Sequence, residues 1–269
     1  MISPFAIVFS IVTVIVALIL PPVFAVAYAL KNRKQGILSA WLLGALGFAV
    51  PQILIRMPVL QLLSANSGFV AFAQSHMILY GLGLAFTAGL FELAGRYAVA
   101  LLLRKRLTCR RALAAGLGHG GIEAMILIGI SYITNLVFIF MLNTGSFDAM
   151  VAQTAVAGAD TAQLEAVRDA LVNTSGWMFL LAAVERLLTM VLHAAMSALV
   201  CFGVHRGKTL AASLACLVLH TLVDASATVS MLLPQSQAYP IIYMCLTVLA
   251  VGAVFLLRAI RSRWEAVSC

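Results

Sequence analysis

Acids, histidines and arginines placed four residues apart inside apolar sequence are the side chains of this chain best suited to chemistry. Three such pairs are present, and a further histidine lies in a separate apolar stretch: Glu92 with Arg96, His119 with Glu123, His220 with Asp224, and His193. Residues at positions i and i+4 share one face of a helix, so both members of a pair can point to the same place between helices. Histidines combined with carboxylates bind zinc or act as acids and bases. The pattern therefore indicates either a metal site or an acid–base centre.

The composition of the chain assigns these residues to a membrane protein. Of its 269 residues, 63% are hydrophobic and only 10% are charged, whereas a soluble domain has about 45–50% apolar and about 25% charged residues. A soluble enzyme, a disordered chain and a nucleic-acid-binding protein are therefore excluded, and the lipid bilayer is the first expected partner. The net charge of +8 is typical of basic connections between membrane helices, so no nucleic acid is needed to explain it.

Seven apolar runs are long enough to cross a bilayer core of about 30 Å as helices. They cover residues 4–30, 37–60, 69–103, 112–142, 176–204, 209–233 and 238–258. The sequence therefore predicts an all-α, polytopic membrane protein that forms a single transmembrane helical domain over residues 1–269. Pro21, Pro22, Pro51 and Pro58 are expected to distort the first two helices, because proline lacks the backbone N–H that a helix requires.

Lysine and arginine residues mark alternate connections between these runs. They cluster at 31–34, 104–111, 206–208 and 258–263, whereas the intervening connections contain only Arg168. Because cytoplasmic loops are enriched in Lys and Arg, we expect the N-terminus outside and the C-terminus in the cytoplasm. Residues 143–175 then form an outer loop. Within it, Leu164, Val167 and Leu171 have the spacing of a short amphipathic helix.

The ionisable groups inside the spans are predicted to meet at one depth. At about 1.5 Å per residue, four of them lie about 12–18 Å from the basic ends of four different helices: Glu92, His119, His193 and His220. An ionisable group in lipid costs about 2.5–3.5 kcal/mol unless it is paired or hydrated. These groups are therefore expected to face one another and to form a polar functional centre.

Glycine is concentrated around one of these histidines. Gly116, Gly118, Gly120 and Gly121 flank His119 on both sides. Glycine lets helices approach closely or allows a local break in the helix, so the fourth span is expected either to pack tightly or to open at this point.

Four short motifs follow one another along the chain. They are Phe91-Glu92-Leu-Ala-Gly95-Arg96, then Gly116-Leu-Gly118-His119-Gly120-Gly121-Ile-Glu123, then Glu185-Arg186 with His193, then His220-Thr-Leu-Val-Asp224. Together they resemble the YhfC family of bacterial intramembrane metalloproteases. That family is similar to a superfamily with Glu-Glu-x-x-x-Arg, Phe-x-x-x-His and His-x-x-x-Asn/Asp motifs, which includes the CAAX prenyl proteases and the PrsW proteases. Phe91 and Ala115 stand where the superfamily has its first Glu and its Phe, and Glu123 is one turn from His119 as a replacement carboxylate.

The resemblance implies an intramembrane endopeptidase, multi-pass in the bacterial cytoplasmic membrane, that cleaves a membrane-embedded or membrane-anchored peptide or protein. Glu92 or Glu123 would activate water, and Arg96 would orient a carboxylate or stabilise developing negative charge. Asp224 would support His220. The metal ligands would be His119, His193 and His220, with zinc as the expected metal, unless these histidines position the water directly.

Two other functions fit the same residues. A proton- or ion-coupled transporter also carries His and acid groups near the middle of the membrane. It predicts inverted repeats or paired broken helices, which the sequence does not show. A non-catalytic scaffold or receptor predicts that the buried polar side chains pair fully with one another and leave no hydrated cavity.

Overall fold

The computed structural model describes residues 2–33 and 35–265, and it contains helices and no strand within these ranges. The helices, with their π and 3₁₀ turns included, are α1 Pro4–Lys31, α2 Ile37–Ser64, α3 Ser67–Ser75, α4 Met77–Arg106, α5 Cys109–Thr144, α6 Ser146–Val156, α7 Ala162–Asn173, α8 Met178–His205, α9 Thr209–Met231 and α10 Gln235–Trp264. Over the described residues, seven are long and apolar enough to cross a membrane, namely all except α3, α6 and α7. The prediction of an all-α, polytopic membrane protein with seven spans is confirmed.

The third span begins later than the sequence predicts. The apolar run at 69–103 is divided at His76, whose backbone angles (φ −130°, ψ 49°) interrupt the helix. Residues Ser67–Ser75 form the separate helix α3, which begins where the Asn66 side chain accepts a hydrogen bond from the Phe69 N–H. The spanning helix α4 therefore starts at Met77, and its far end includes the basic residues Arg104–Arg106.

Three of the spanning helices contain π-helical turns, at Ile15–Ile19, Ala49–Arg56 and Ala124–Gly129. The first two adjoin or contain Pro21, Pro22 and Pro51. Pro58, also expected to distort α2, lies at the start of the regular α-helical segment Met57–Ser64. Pro21 cannot donate to the carbonyl of Ala17, and Pro51 cannot donate to that of Gly47, so wider turns relieve the clash. The second of these π turns carries Gln52 and Arg56, which belong to the polar site described below.

The internal contacts divide the chain into two compact units. The first contains the residues up to Pro22 and Ala124–Leu187. In it, the Thr13 hydroxyl donates to the Phe179 carbonyl at 2.7 Å, which ties the first helix to α8. Leu171 of α7 is buried in a cluster that includes Ile139 of α5. The single-domain expectation and the outer position of residues 143–175 stay predictions.

The second unit contains Val23–Glu123 and the residues from Leu188 onward, and it holds every site residue that the sequence predicts. In it α2 packs along the first half of α5, and α4 packs against both α2 and α9. The buried core of this unit is rich in alanine, with Met196 and Leu103 among its largest side chains. Small core residues let the helices approach closely, which brings the polar side chains of four of them into contact.

Candidate functional site

Four helices of the second unit each contribute to one buried polar cluster. Helix α4 provides Glu92 and Arg96, α5 provides His119, α8 provides His193 and α9 provides His220. Each of these residues is at most 5% exposed. Burying a charge is costly unless it is paired and hydrogen-bonded. The stability of the cluster therefore depends on the contacts that each member makes.

The carboxylate of Glu92 is the centre of the cluster. Its Oε2 accepts hydrogen bonds from Arg96 Nη2 at 3.0 Å and from His119 Nε2 at 2.9 Å. The Nδ1 atoms of His220 and His193 lie 3.6 Å and 3.8 Å from the same oxygen. Because a carboxylate only accepts hydrogen bonds, His119 carries its proton on Nε2.

A second chain of polar contacts reaches Glu92 from α2. Gln52 Nε2 donates to Glu92 Oε1 at 2.8 Å, and Gln52 Oε1 accepts from Arg56 Nη1 at 3.4 Å. Arg56 is itself held by the Leu84 carbonyl at 2.8 Å and by the Thr87 hydroxyl. Both oxygens of Glu92 therefore have donors. One of these donors, Gln52, is carried by the π turn of α2.

His193 links the cluster to a second carboxylate. Its Nδ1 lies 2.6 Å from Arg96 Nη2, and its Nε2 lies 2.7 Å from Glu123 Oε2. A guanidinium can only donate, so Nδ1 accepts from Arg96 and Nε2 carries the proton that faces Glu123. Glu123 thus orients His193, and the ring of His193 stacks on that of His119 with centroids 5.3 Å apart.

His220 links the cluster to a third carboxylate, which is half-buried. Its Nε2 lies 3.2 Å from Oδ2 of Asp224, whose side chain is 35% exposed. With Asp224 holding one ring N–H, Nδ1 is left as an acceptor that faces another acceptor, Glu92 Oε2, at 3.6 Å. Nδ1 is buried and has no hydrogen-bond partner in the described part of the chain. A water or a cation between these two atoms would satisfy both.

His119 is held in place by close contacts between helices at the neighbouring glycines. A Cβ on Gly118 would lie 1.9 Å from the Trp41 carbonyl oxygen, and one on Gly116 would lie 2.6 Å from the Ala194 Cα. These contacts require residues without side chains, so α5 packs directly on α2 and α8. Of the two expectations for this glycine-rich stretch, tight packing is the one observed, because Cys109–Glu123 is a continuous α-helix.

The side chains of the cluster include a set of donors that could hold a metal ion. One ligand atom each from Glu92, His119 and His193 lies within 4.8 Å of the others, and two histidines with a glutamate hold zinc in known catalytic sites. This group differs from the predicted ligands by including Glu92 and omitting His220, although His220 Nδ1 also lies 3.6 Å from Glu92 Oε2.

The structure joins all seven residues that the sequence selects into one contact network. Five are buried at its centre, whereas Glu123 and Asp224 are reached through His193 and His220. The sequence analysis missed Gln52 and Arg56 as partners of this network. Arg56 is visible as a charge inside a span, but Gln52 is neutral, and its only signal is that it stands four residues before Arg56.

Comparison with known proteins places the chain among membrane proteins of one family. The profile of the YhfC intramembrane metalloprotease family matches residues 16–246, a range that includes the whole polar cluster. The uncharacterized membrane protein YhfC of Bacillus subtilis (strain 168) is 29% identical over 228 residues, which cover 84% of this chain and 86% of that protein. No solved structure matches the chain. The chain therefore belongs to the YhfC intramembrane metalloprotease family.

Proposed function

We propose that the protein is an intramembrane endopeptidase, located in a bacterial cytoplasmic membrane, whose buried centre uses water to cleave a peptide bond. One observation supports this most strongly. A single carboxylate, Glu92, contacts a guanidinium and three imidazoles supplied by four helices, at a depth where the sequence is otherwise apolar. Acid–base groups and a fixed cation gathered around one point are the groups that amide hydrolysis requires.

In the proposed reaction, Glu92 Oε2 takes a proton from water as the water oxygen bonds to the carbonyl carbon of the substrate. Arg96 has two buried donors, Nε and Nη1, that lack hydrogen-bond partners among the described residues. We assign them to the oxyanion that forms on the carbonyl oxygen. Glu92 then returns the proton to the amide nitrogen as the C–N bond breaks, which yields a carboxylic acid and an amine; the amine then takes up the proton of the acid. Glu123 and Asp224 hold His193 and His220 in place.

Zinc is the metal we propose for this site, with Glu92, His119 and His193 as the residues that would hold it. With zinc bound, Glu92 would be a ligand, and Glu123 would take the proton from the water in its place. Zinc would lower the pKa of a bound water and polarise the substrate carbonyl. The donor set of one carboxylate and two imidazoles supports this assignment. The residues themselves orient the water and the substrate, and His220 Nδ1 offers a further acceptor for a proton of the water.

A non-catalytic scaffold is the second candidate function, and one feature of the site favours it. The buried polar side chains largely pair with one another: Glu92 has donors on both oxygens, and His193 has partners on both ring nitrogens. A purely structural network would show such pairing. The unpartnered donors of Arg96 and the open acceptor of His220 favour the protease instead.

The test is a comparison of newly formed protein N-termini in membranes that contain the wild-type protein or the Glu92→Gln variant. This change keeps the shape of the side chain and removes its ability to take a proton. We expect new termini in or beside membrane-spanning segments with the wild type. We expect them to fall by at least about 100-fold in the variant, the range that a general base contributes.

The matched control is Glu165→Gln, the same chemical change at an exposed position of α7. It should leave the pattern of new termini unchanged. Identical patterns for the wild type and for a folded Glu92→Gln variant would reject the protease and favour the scaffold.

A further inference from the structure

A cavity with positively charged residues at one end lies between the ends of α8, α9 and α10, away from the polar cluster. It has a volume of about 460 Å³. We call it the basic cavity and define it by three cations, Arg206, Lys208 and Arg263, and by an apolar wall that includes Leu199 and Ala215. All of these residues belong to the second unit.

The three cations of the basic cavity have no carboxylate partner among residues 2–33 and 35–264, whose side chains the structure describes. All three side chains are exposed. Gly207, with φ +68°, forms the turn between Arg206 and Lys208, and Arg206 lies over the ring of Phe202. Cations that line one cavity without a counter-ion favour an anionic ligand.

The chemistry of the basic cavity changes along its length. Leu199 stands seven residues before Arg206 on α8, and Ala215 stands seven residues after Lys208 on α9. At about 1.5 Å per residue, both lie about 10 Å from the charged end, inside helices that cross the membrane. The cavity is therefore cationic where the spans end and apolar where they enter the bilayer.

We propose that the basic cavity binds an anionic phospholipid, with the phosphate on Arg206, Lys208 and Arg263 and an acyl chain along Leu199 and Ala215. A small soluble anion would use only the charged end. A zwitterionic lipid would bring a positive group to three cations. An anionic headgroup joined to an apolar chain matches both parts, as in the basic pockets between membrane helices that hold acidic lipids.

The test measures lipid binding to delipidated, detergent-solubilised protein by native mass spectrometry. Dioleoylphosphatidylglycerol, dioleoylphosphatidylcholine and inorganic phosphate are the three probes. We expect phosphatidylglycerol to bind at least about tenfold more tightly than phosphatidylcholine, since each cation contributes favourably to an acidic headgroup. Millimolar phosphate should not displace it. The variant with Arg206→Gln, Lys208→Gln and Arg263→Gln should lose this preference.

The matched control carries Arg104→Gln, Lys105→Gln and Arg106→Gln, which removes the same charge from exposed residues outside the cavity. It should bind phosphatidylglycerol as the wild type does. Equal losses in both triple variants, or displacement by phosphate, would overturn the proposal. If the cavity variant fails to fold, the wild type still decides, because equal binding of the two lipids would also overturn it.

Discussion

At the scale of single residues, the sequence is most informative where a charge stands inside a span. The pairs that begin at Glu92, His119 and His220 are visible because an ionisable side chain in lipid needs a partner, and helical spacing indicates which face it occupies. The sequence does not identify the partner of each charged side chain. His193 contacts Glu123 rather than a residue of its own helix, and only tertiary packing determines such a contact.

Gln52 illustrates a partner that sequence patterns do not reveal, and it provides the first prediction. The change Gln52→Leu removes the donor to Glu92 Oε1 and leaves a buried carboxylate oxygen unsatisfied, which costs about 1–3 kcal/mol. We expect a lower melting temperature in detergent and slower cleavage of substrates by the variant. Both should recover partly in Gln52→Asn. Gln61→Leu, an exposed position on the same helix, is the control. Equal stability of the Gln52→Leu and Gln61→Leu variants would show that this contact is unimportant.

The second prediction concerns the metal that the residues would hold. We expect purified wild-type protein to contain close to one zinc ion per chain by elemental mass spectrometry. The change His119→Ala removes one donor and should reduce the zinc content by at least about tenfold, as loss of a ligand or of its support does. His76→Ala changes an exposed histidine outside the cluster and should retain the metal. Full zinc content in the His119→Ala variant would contradict the assignment of the ligands.

At the scale of helices, hydrophobicity predicts where the spans lie but not how they are interrupted. The run at 69–103 is apolar throughout. The break at His76 occurs without proline or glycine, so no residue type predicts it. The π turn of α2 is partly predictable, because Pro51 lies within it. The π turn at Ala124–Gly129 contains no proline and follows the packed half of α5.

The third prediction tests whether close packing of α5 on α2 supports the site. In Gly118→Ala, the new methyl group would lie 1.9 Å from the Trp41 carbonyl oxygen, so the helices must separate. Overpacking of this kind costs about 1–3 kcal/mol, and the melting temperature should fall. Gly83→Ala is the control, because nothing lies within 4 Å of its added methyl group. A Gly118→Ala variant as stable as Gly83→Ala would show that the contact between α5 and α2 has room for the methyl group.

At the scale of the whole molecule, the alternation of basic connections predicts the orientation in the membrane, and this is the fourth prediction. In a variant with its cysteines replaced by alanine, Val156→Cys in α6 should react with a membrane-impermeant maleimide added outside intact cells. Lys105→Cys, at the end of α4, should react only after the membrane is permeabilised. Both positions are exposed on the protein. The reverse pattern of labelling would show that the protein has the opposite orientation in the membrane.

The central claim is that the cluster around Glu92 hydrolyses peptide bonds. The most direct measurement uses the purified protein in liposomes, mixed with solubilised membrane proteins in water enriched in oxygen-18. Because water is the nucleophile, each new C-terminal carboxylate should gain one heavy oxygen. We expect labelled C-termini with the wild type and with Glu165→Gln, and none above background with Glu92→Gln. Labelled termini that persist in a folded Glu92→Gln variant, or their absence from the wild type, would contradict the account.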